Sequence, residues 1–273
     1  WHRARELMRF GKWVFWTRIV TFLDQSVDSL VIGKLLGATA LGFYQMAYLL
    51  ALLPTSRTTG RVQGILFPAF AKLQEERDLR RAFLRSLAVV ASLTVPLGCF
   101  LTIFADPLVR FILGERWLSI APALRILAWA GVAITGGKLM SALFLAIGRP
   151  DLQLKAALLK VLVLAVSLYP VVTTLGITGV ALAVTTSSFV ALTYQVLHVT
   201  QLVRLRGRQM VKALGVGAVG SVPFLAAGLA VPSTLSPALF LIAGVAIGLY
   251  LVILLTALPR FGIGFGLWSS HQP

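Results

Sequence analysis

The amino-acid sequence predicts an all-α protein, a polytopic membrane bundle of about eight spanning helices. Three observations carry that prediction. Of the 273 residues, 58% are hydrophobic and only 12% are charged, with a mean hydropathy of +0.89, whereas soluble domains are about 45–50% apolar. The apolar residues gather in stretches of roughly 20, the length that takes a helix across the hydrocarbon core. Within most stretches they run all round the helix instead of along one stripe, as in helices surrounded by lipid and by one another. A net charge of +16 often signals nucleic acid. Here Lys and Arg fall between apolar runs, where they set topology, so no nucleic-acid partner is expected.

Residues 1–12, WHRARELMRFGK, are basic and amphipathic with no apolar signal core, and read as a cytoplasmic linker helix on the membrane surface. Because the sequence opens at Trp1 without an initiator Met, it reads as part of a longer chain. Spans are expected at about 13–33, 39–66, 84–104, 120–147, 153–173, 177–202, 210–231 and 237–258, with residues 260–273 as a tail. In the second, Pro54 and the polar run 55–61 imply either one long broken helix or a helix followed by an interfacial piece. Later turns are marked by Gly and Pro, as in AIGRPD (146–151) and VPSTLSP (231–237), and no linker is long enough to divide the chain. Small residues in GVALA (179–183) and GVGAVGS (215–221) suit close helix packing.

Basic residues alternate between loops. One set holds Arg3, Arg5, Arg9 and Lys12, then Lys72, Arg77, Arg80, Arg81 and Arg85, then Arg149 and Lys155, then Arg204, Arg206, Arg208 and Lys212, and finally Arg260. The other holds Lys34, Arg110 and Arg116. Positive residues stay on the cytoplasmic side, so both ends of this chain are expected there.

The first span, WVFWTRIVTFLDQSVDSLVIGKLLG (13–37), carries Arg18, Asp24, Gln25 and Asp28. Each ionised residue at a helix centre costs about 2.5–3.5 kcal/mol on insertion scales, so such residues face a bundle interior or a watery cavity. Asp24 and Asp28, four apart, share a face with Arg18 to one side. Further candidates are Arg57 and Arg61 on the second span, Arg125 and Lys138 on the fourth, and Lys160 on the fifth. Cations outnumber acids in this set, which predicts a cavity of positive potential suited to an anionic headgroup. Arg57 and Arg61 share a helix face, and guanidinium grips phosphate through two parallel hydrogen bonds, which points to a diphosphate. The expected substrate contacts are therefore Arg57, Arg61, Lys138 and Arg18. Asp24 and Asp28 either serve the cavity or pair with Arg18 or Arg61 to hold helices together. Arg57 and Arg61 near the interface would snorkel instead, and Arg125 and Lys160 are placed near span ends, where snorkelling is the simpler reading.

Catalytic motifs are absent: the sequence has no GxSxG, HExxH or phosphate-cradling loop. Cys99 stands alone and His198 has no ligand at metal spacing, so no cofactor or metal is expected.

Five strings in order carry a resemblance: DSLVIGKLLGATALGFYQMAYLLALLP (28–54), ILFPAFAKLQEERDLRRAF (65–83), FADPLVRFILGERW (104–117), LFLAIGRPDLQLK (143–155) and LGITGVALA (175–183). Together they resemble the second half of the polysaccharide-biosynthesis flippases of the multidrug/oligosaccharidyl-lipid/polysaccharide exporter superfamily. The resemblance implies a linker (1–12), a six-helix C-terminal lobe (13–205), an additional helix pair (206–259) and a cytoplasmic tail (260–273). It implies translocation of polyprenyl-diphosphate-linked oligosaccharide across the bacterial inner membrane, with membrane lipids and a missing N-terminal lobe as partners, and with Asp24 and Asp28 either balancing the cavity charge or coupling transport to a cation. Asp28 lies in a well-matched string, whereas Arg57 and Arg61 fall in a variable stretch and rest on physics alone. The rival expectations are a cation-coupled small-molecule exporter of the same superfamily, a non-transporting membrane scaffold, and a membrane glycosyltransferase or ligase using Asp106 or Glu115.

Overall fold

The computed structural model describes the backbone of residues 2–73, 75–205, 207–230 and 250, and the side chains of residues 11–52, 64–73, 75–205, 207–226 and 250. Among the described residues the secondary structure is helical throughout. Helix α1 (His2–Leu35) takes up both the expected linker, from residue 2, and the first span without a break. Gly37, at φ +85°, turns the chain into α2 (Gly37–Ala71), so the backbone follows the one-long-helix alternative for the second span. Helix α3 (Glu76–Ile103) opens with Glu76 and Asp78 in its first turn, where carboxylates complement the helix dipole.

The string FADPLVRFILGERW, read from sequence as a loop, instead forms a short helix α4 (Ala105–Leu113) and a 3-10 turn (Glu115–Ile120). Gly114 between them sits at φ +87°, a conformation that favours glycine. Helix α5 (Ala121–Ala146) then leads into α6 (Pro150–Leu202). Gly176, at φ 56° and ψ −135°, folds α6 into two arms that coincide with the fifth and sixth expected spans. Just beyond it, a Cβ at Gly179 would lie 2.2 Å from the Val171 carbonyl oxygen, so only glycine lets the arms close this tightly. Helix α7 (Gly207–Ala230) is the seventh span. The eighth and the tail fall outside the described residues except for Tyr250, whose hydroxyl donates to the Ser92 carbonyl at 2.6 Å.

Among the described residues, four helical segments are long and apolar enough to cross a membrane by length and composition: Glu76–Ile103, Glu115–Ala146, Pro150–Leu202 and Gly207–Ala226. The third of these provides two arms. Large apolar side chains such as Phe22, Leu30, Leu162, Val166 and Tyr169 point outward and are exposed, the surface expected of a protein solvated by lipid. The chain is thus a multi-pass membrane protein.

The core separates into two main layers. One gathers Ile32, Tyr44, Val109, Ile120, Leu124, Leu168 and Val180, around the turns poor in Lys and Arg. The other gathers Phe70, Phe83, Phe144, Leu152, Val203 and Met210, around the loops rich in them. The basic loops at 72–85, 149–155 and 204–212 therefore lie at one end of the bundle. Helices α3 and α7 approach closely through Gly217, where a Cβ would stand 2.6 Å from the Ala91 carbonyl oxygen. This accounts for a glycine of the GVGAVGS string by packing, as small residues do between membrane helices.

Candidate functional site

A cavity of about 670 Å³ lies between α1, α2, α5 and both arms of α6. Its wall begins with a stripe of α1 formed by Thr17, Thr21, Asp24, Gln25 and Asp28. At 100° per residue these positions fall within one face, so the polar residues that the sequence placed inside a spanning helix turn toward a shared space. Opposite them stand Tyr44, Gln45 and Tyr48 of α2, Lys138 and Ser141 of α5, and Gln153, Lys160 and Gln195 of α6.

Asp28 is 5% exposed and both of its carboxylate oxygens are occupied. The Ser29 backbone N–H donates to Oδ1 at 2.7 Å, and the Tyr44 hydroxyl donates to Oδ2 at 2.8 Å. The string DSLVIG therefore meets GFYQMAY across the α1–α2 turn, and Asp28 joins the two helices. Neither Arg18 nor Arg61 is needed to account for it.

Asp24 pairs with Lys160, whose ammonium donates to Oδ2 at 2.6 Å across 136 residues of sequence. Their side chains are 13% and 18% exposed. This corrects the sequence reading of Lys160, which is not a snorkelling residue at a span end but part of the cavity wall. The other Asp24 oxygen, Oδ1, is buried with no hydrogen-bond partner among the described residues, as is Oε1 of Gln195. Gln195 Nε2 reaches Ser141 Oγ at 3.4 Å, and Gly137 allows α5 to pass close beside it.

Lys138 lines the cavity as expected. Arg18 does not: it is exposed, about 100° round α1 from Thr17, and outside the cavity wall. The backbone of Arg57 and Arg61 continues α2 about 8 and 14 Å beyond Leu52, the last α2 residue of the wall, but their side chains lie outside the described residues. Among the described residues the wall holds Lys138 and Lys160 against Asp24 and Asp28. These four formal charges balance, and the positive potential expected from sequence rests on Arg57 and Arg61, whose side chains lie outside the described residues. What dominates is neutral hydrogen-bonding capacity, from the carboxamides of Gln25, Gln45, Gln153 and Gln195 and from several hydroxyls.

Arg125, placed at a span end by the sequence, lies one turn into α5 and stays partly exposed. It pairs with Asp106 at the start of α4. Arg110 meets Glu115 at 3.3 Å. The two acids named for an enzymatic rival are thus each engaged by an arginine, and Phe43 packs on Trp117 edge to face at 5.1 Å to seat the same segment on α2. At the opposite end the GRPD turn explains itself. Gly148 takes φ +71°, Pro150 starts α6, and Arg149 holds Asp151 at 3.0 Å. That hydrogen bond lowers the Asp151 carboxyl below its usual range.

Tyr44, Gln45, Tyr48, Gln153 and Gln195 are among the cavity residues missed in the sequence. Gln25 stood out there because it lies among charges, while an isolated Gln or Tyr in an apolar span carries no comparable signal.

Comparison with known proteins bears out the resemblance drawn from the five strings. Residues 1–122 match the profile of the family described as polysaccharide biosynthesis protein. The lipopolysaccharide biosynthesis protein WzxC of Escherichia coli (strain K12) is 32% identical over 154 residues, covering 56% of this chain and 31% of that protein. The teichuronic acid biosynthesis protein TuaB of Bacillus subtilis (strain 168) is 31% identical over 161 residues, covering 56% of this chain and 33% of that protein. In fold, the chain is similar to the lipid II flippase MurJ in an inward closed conformation, with a TM-score of 0.70 at 15% identity over 87% of this chain and 51% of that one. The matches thus span about a third of these curated relatives and half of the solved flippase.

Proposed function

We propose that this chain is one lobe of a flippase that carries polyprenyl-diphosphate-linked oligosaccharide across a bacterial inner membrane, and that it acts as a transporter and not as an enzyme. The observation that carries the reading is the polar cavity inside an otherwise apolar bundle. Carboxamides, hydroxyls and the rings of Tyr44 and Tyr48 suit a polyhydroxylated sugar, and two lysines suit a phosphate. The names of the relatives in polysaccharide biosynthesis, and the likeness of fold to a lipid flippase, support the same substrate class.

In this reading Lys138 contacts the diphosphate, joined by Arg57 and Arg61 from the continuation of α2. Asp24 and Asp28 balance the charge. The prenyl tail stays in lipid while the sugars sit among the glutamines. A second lobe supplies the facing wall, in keeping with a match that spans half of the solved flippase, and rocking of the two lobes exposes the cavity to each leaflet in turn. The basic end of the bundle faces the cytoplasm, following the rule that positive loops stay inside.

The test is surface polymer in bacteria whose own polysaccharide flippase is deleted. Cells carrying the intact transporter should restore it, while Lys138→Glu or the pair Arg57→Glu and Arg61→Glu should abolish it with normal membrane insertion. Unchanged export in both would remove the diphosphate from this cavity. Loss of drug resistance with normal polymer would favour the small-molecule exporter.

A further inference from the structure

We propose that Lys160 is an exchangeable ligand for a phosphate or diphosphate, and that Asp24 occupies it when the cavity is empty. The inference rests on the flippase reading and names a contact that the sequence did not assign.

The two acids of the cavity are held differently. Asp28 is fixed through both oxygens by Tyr44 and by the Ser29 backbone. Asp24 has Lys160 on one oxygen, while the other is buried and without a partner among the described residues. A buried ion pair repays the desolvation of its charges only when the remaining lone pairs are also satisfied. This one is not, so it is poorly compensated by comparison with its neighbour four residues away. It also stands in the wall of a cavity large enough to admit a ligand.

Lysine suits the exchange. Its ammonium is a compact charge with three donors on a flexible four-carbon stem, and it can turn from one anion to another without backbone motion. Lys138 lines the same cavity from α5. An anion arriving there competes with Asp24 for Lys160 and is repelled by the Asp24 charge, so Asp24 opposes binding twice. When the anion prevails, the tie between α1 and α6 opens. Occupancy of the cavity is thereby linked to the freedom of α1, which carries more of the polar wall than any other helix.

Binding to the intact transporter, with both lobes present and purified in lipid nanodiscs, tests this, with inorganic pyrophosphate and farnesyl diphosphate as probes and tryptophan fluorescence as readout. Asp24→Asn should tighten binding about tenfold and Lys160→Gln should weaken it about tenfold, the range of one charge-assisted hydrogen bond. A preference for farnesyl diphosphate identifies a lipid headgroup, and equal affinities identify the free anion. If wild type binds and Asp24→Asn binds no better, the exchange is refuted while the flippase reading stands. If neither wild type nor Asp24→Asn binds either probe, the diphosphate reading itself fails. Should Asp24→Asn not fold, amide hydrogen exchange on the wild type decides. Pyrophosphate should speed exchange in α1 around residues 21–28, and slowing or no change there overturns the proposal.

Discussion

Replacing Tyr44 by Phe removes one oxygen atom and leaves the ring in place against Tyr48, whose centroid is 5.9 Å away. The lost hydroxyl is the donor to Asp28 Oδ2 at 2.8 Å, and both residues are buried. A hydrogen bond to a charged group contributes about 1.5–3 kcal/mol in soluble proteins. Between membrane helices, polar contacts average nearer about 0.6 and reach about 1.7 kcal/mol, because the unfolded helices find other partners in the bilayer. The Asp28 bond has ordinary O–H···O length, but both its partners are buried and its acceptor is a carboxyl group, so the upper part of the membrane range applies. Tyr44→Phe should destabilise the fold by about 1.5 kcal/mol, close to tenfold in the unfolding constant. Unfolding by SDS in mixed micelles measures this directly. Asp28→Asn and the double variant complete a cycle whose coupling should be about 1 kcal/mol, within the range for residues in contact. An unchanged unfolding midpoint for Tyr44→Phe, or strictly additive single effects, would refute the claim that Asp28 ties α1 to α2.

The glycines make a matched comparison. Gly179→Ala should destabilise by about 1–3 kcal/mol, since its Cβ would meet the Val171 backbone at 2.2 Å, the usual penalty of overpacking. Gly98→Ala, which meets only the tip of Val132 at 3.0 Å, should be milder in the same SDS titration. Gly176→Ala places a side chain where φ is 56° and ψ −135°. It should lower stability by about 1–3 kcal/mol through backbone strain, although a Cβ there would touch nothing. Asp151 has its pKa lowered by the hydrogen bond from Arg149. Its contribution is therefore present above the unfolded pKa of about 3.9 and is lost as pH falls through the lower folded value. Hydrogen exchange at the start of α6 should rise more at pH 3 relative to pH 7 in wild type than in Asp151→Asn.

Much of the fold was legible because its causes are local. Apolar runs of bilayer length mark the spans from α3 onward, and the turn at Gly176 falls where the sequence offers a glycine that can adopt it. Alternation of basic loops anticipated that residues 72–85, 149–155 and 204–212 share one end, which the two core layers bear out. The helical content of 105–113 was missed because a nine-residue helix between spans is too short for periodicity to distinguish from a loop.

The site was legible only in part. That Asp24 and Asp28 turn toward one space follows from helix geometry, since residues four apart share a face. Which partner each would find does not, because pairing across helices depends on how the bundle is assembled. Lys160 reaches Asp24 across 136 positions, and Arg125 finds Asp106 across 19. Arg18 shows the converse, a charge on the right helix whose azimuth takes it out of the cavity. By itself the sequence determined that this is a multi-pass helical membrane protein with ions in its interior, because hydrophobic length and the cost of burying charge act within each segment. Only the tertiary structure decided that Asp24, Asp28, Lys138 and Lys160 meet around one polar cavity, because electrostatic pairing is a property of distances between segments and not of their order in the chain.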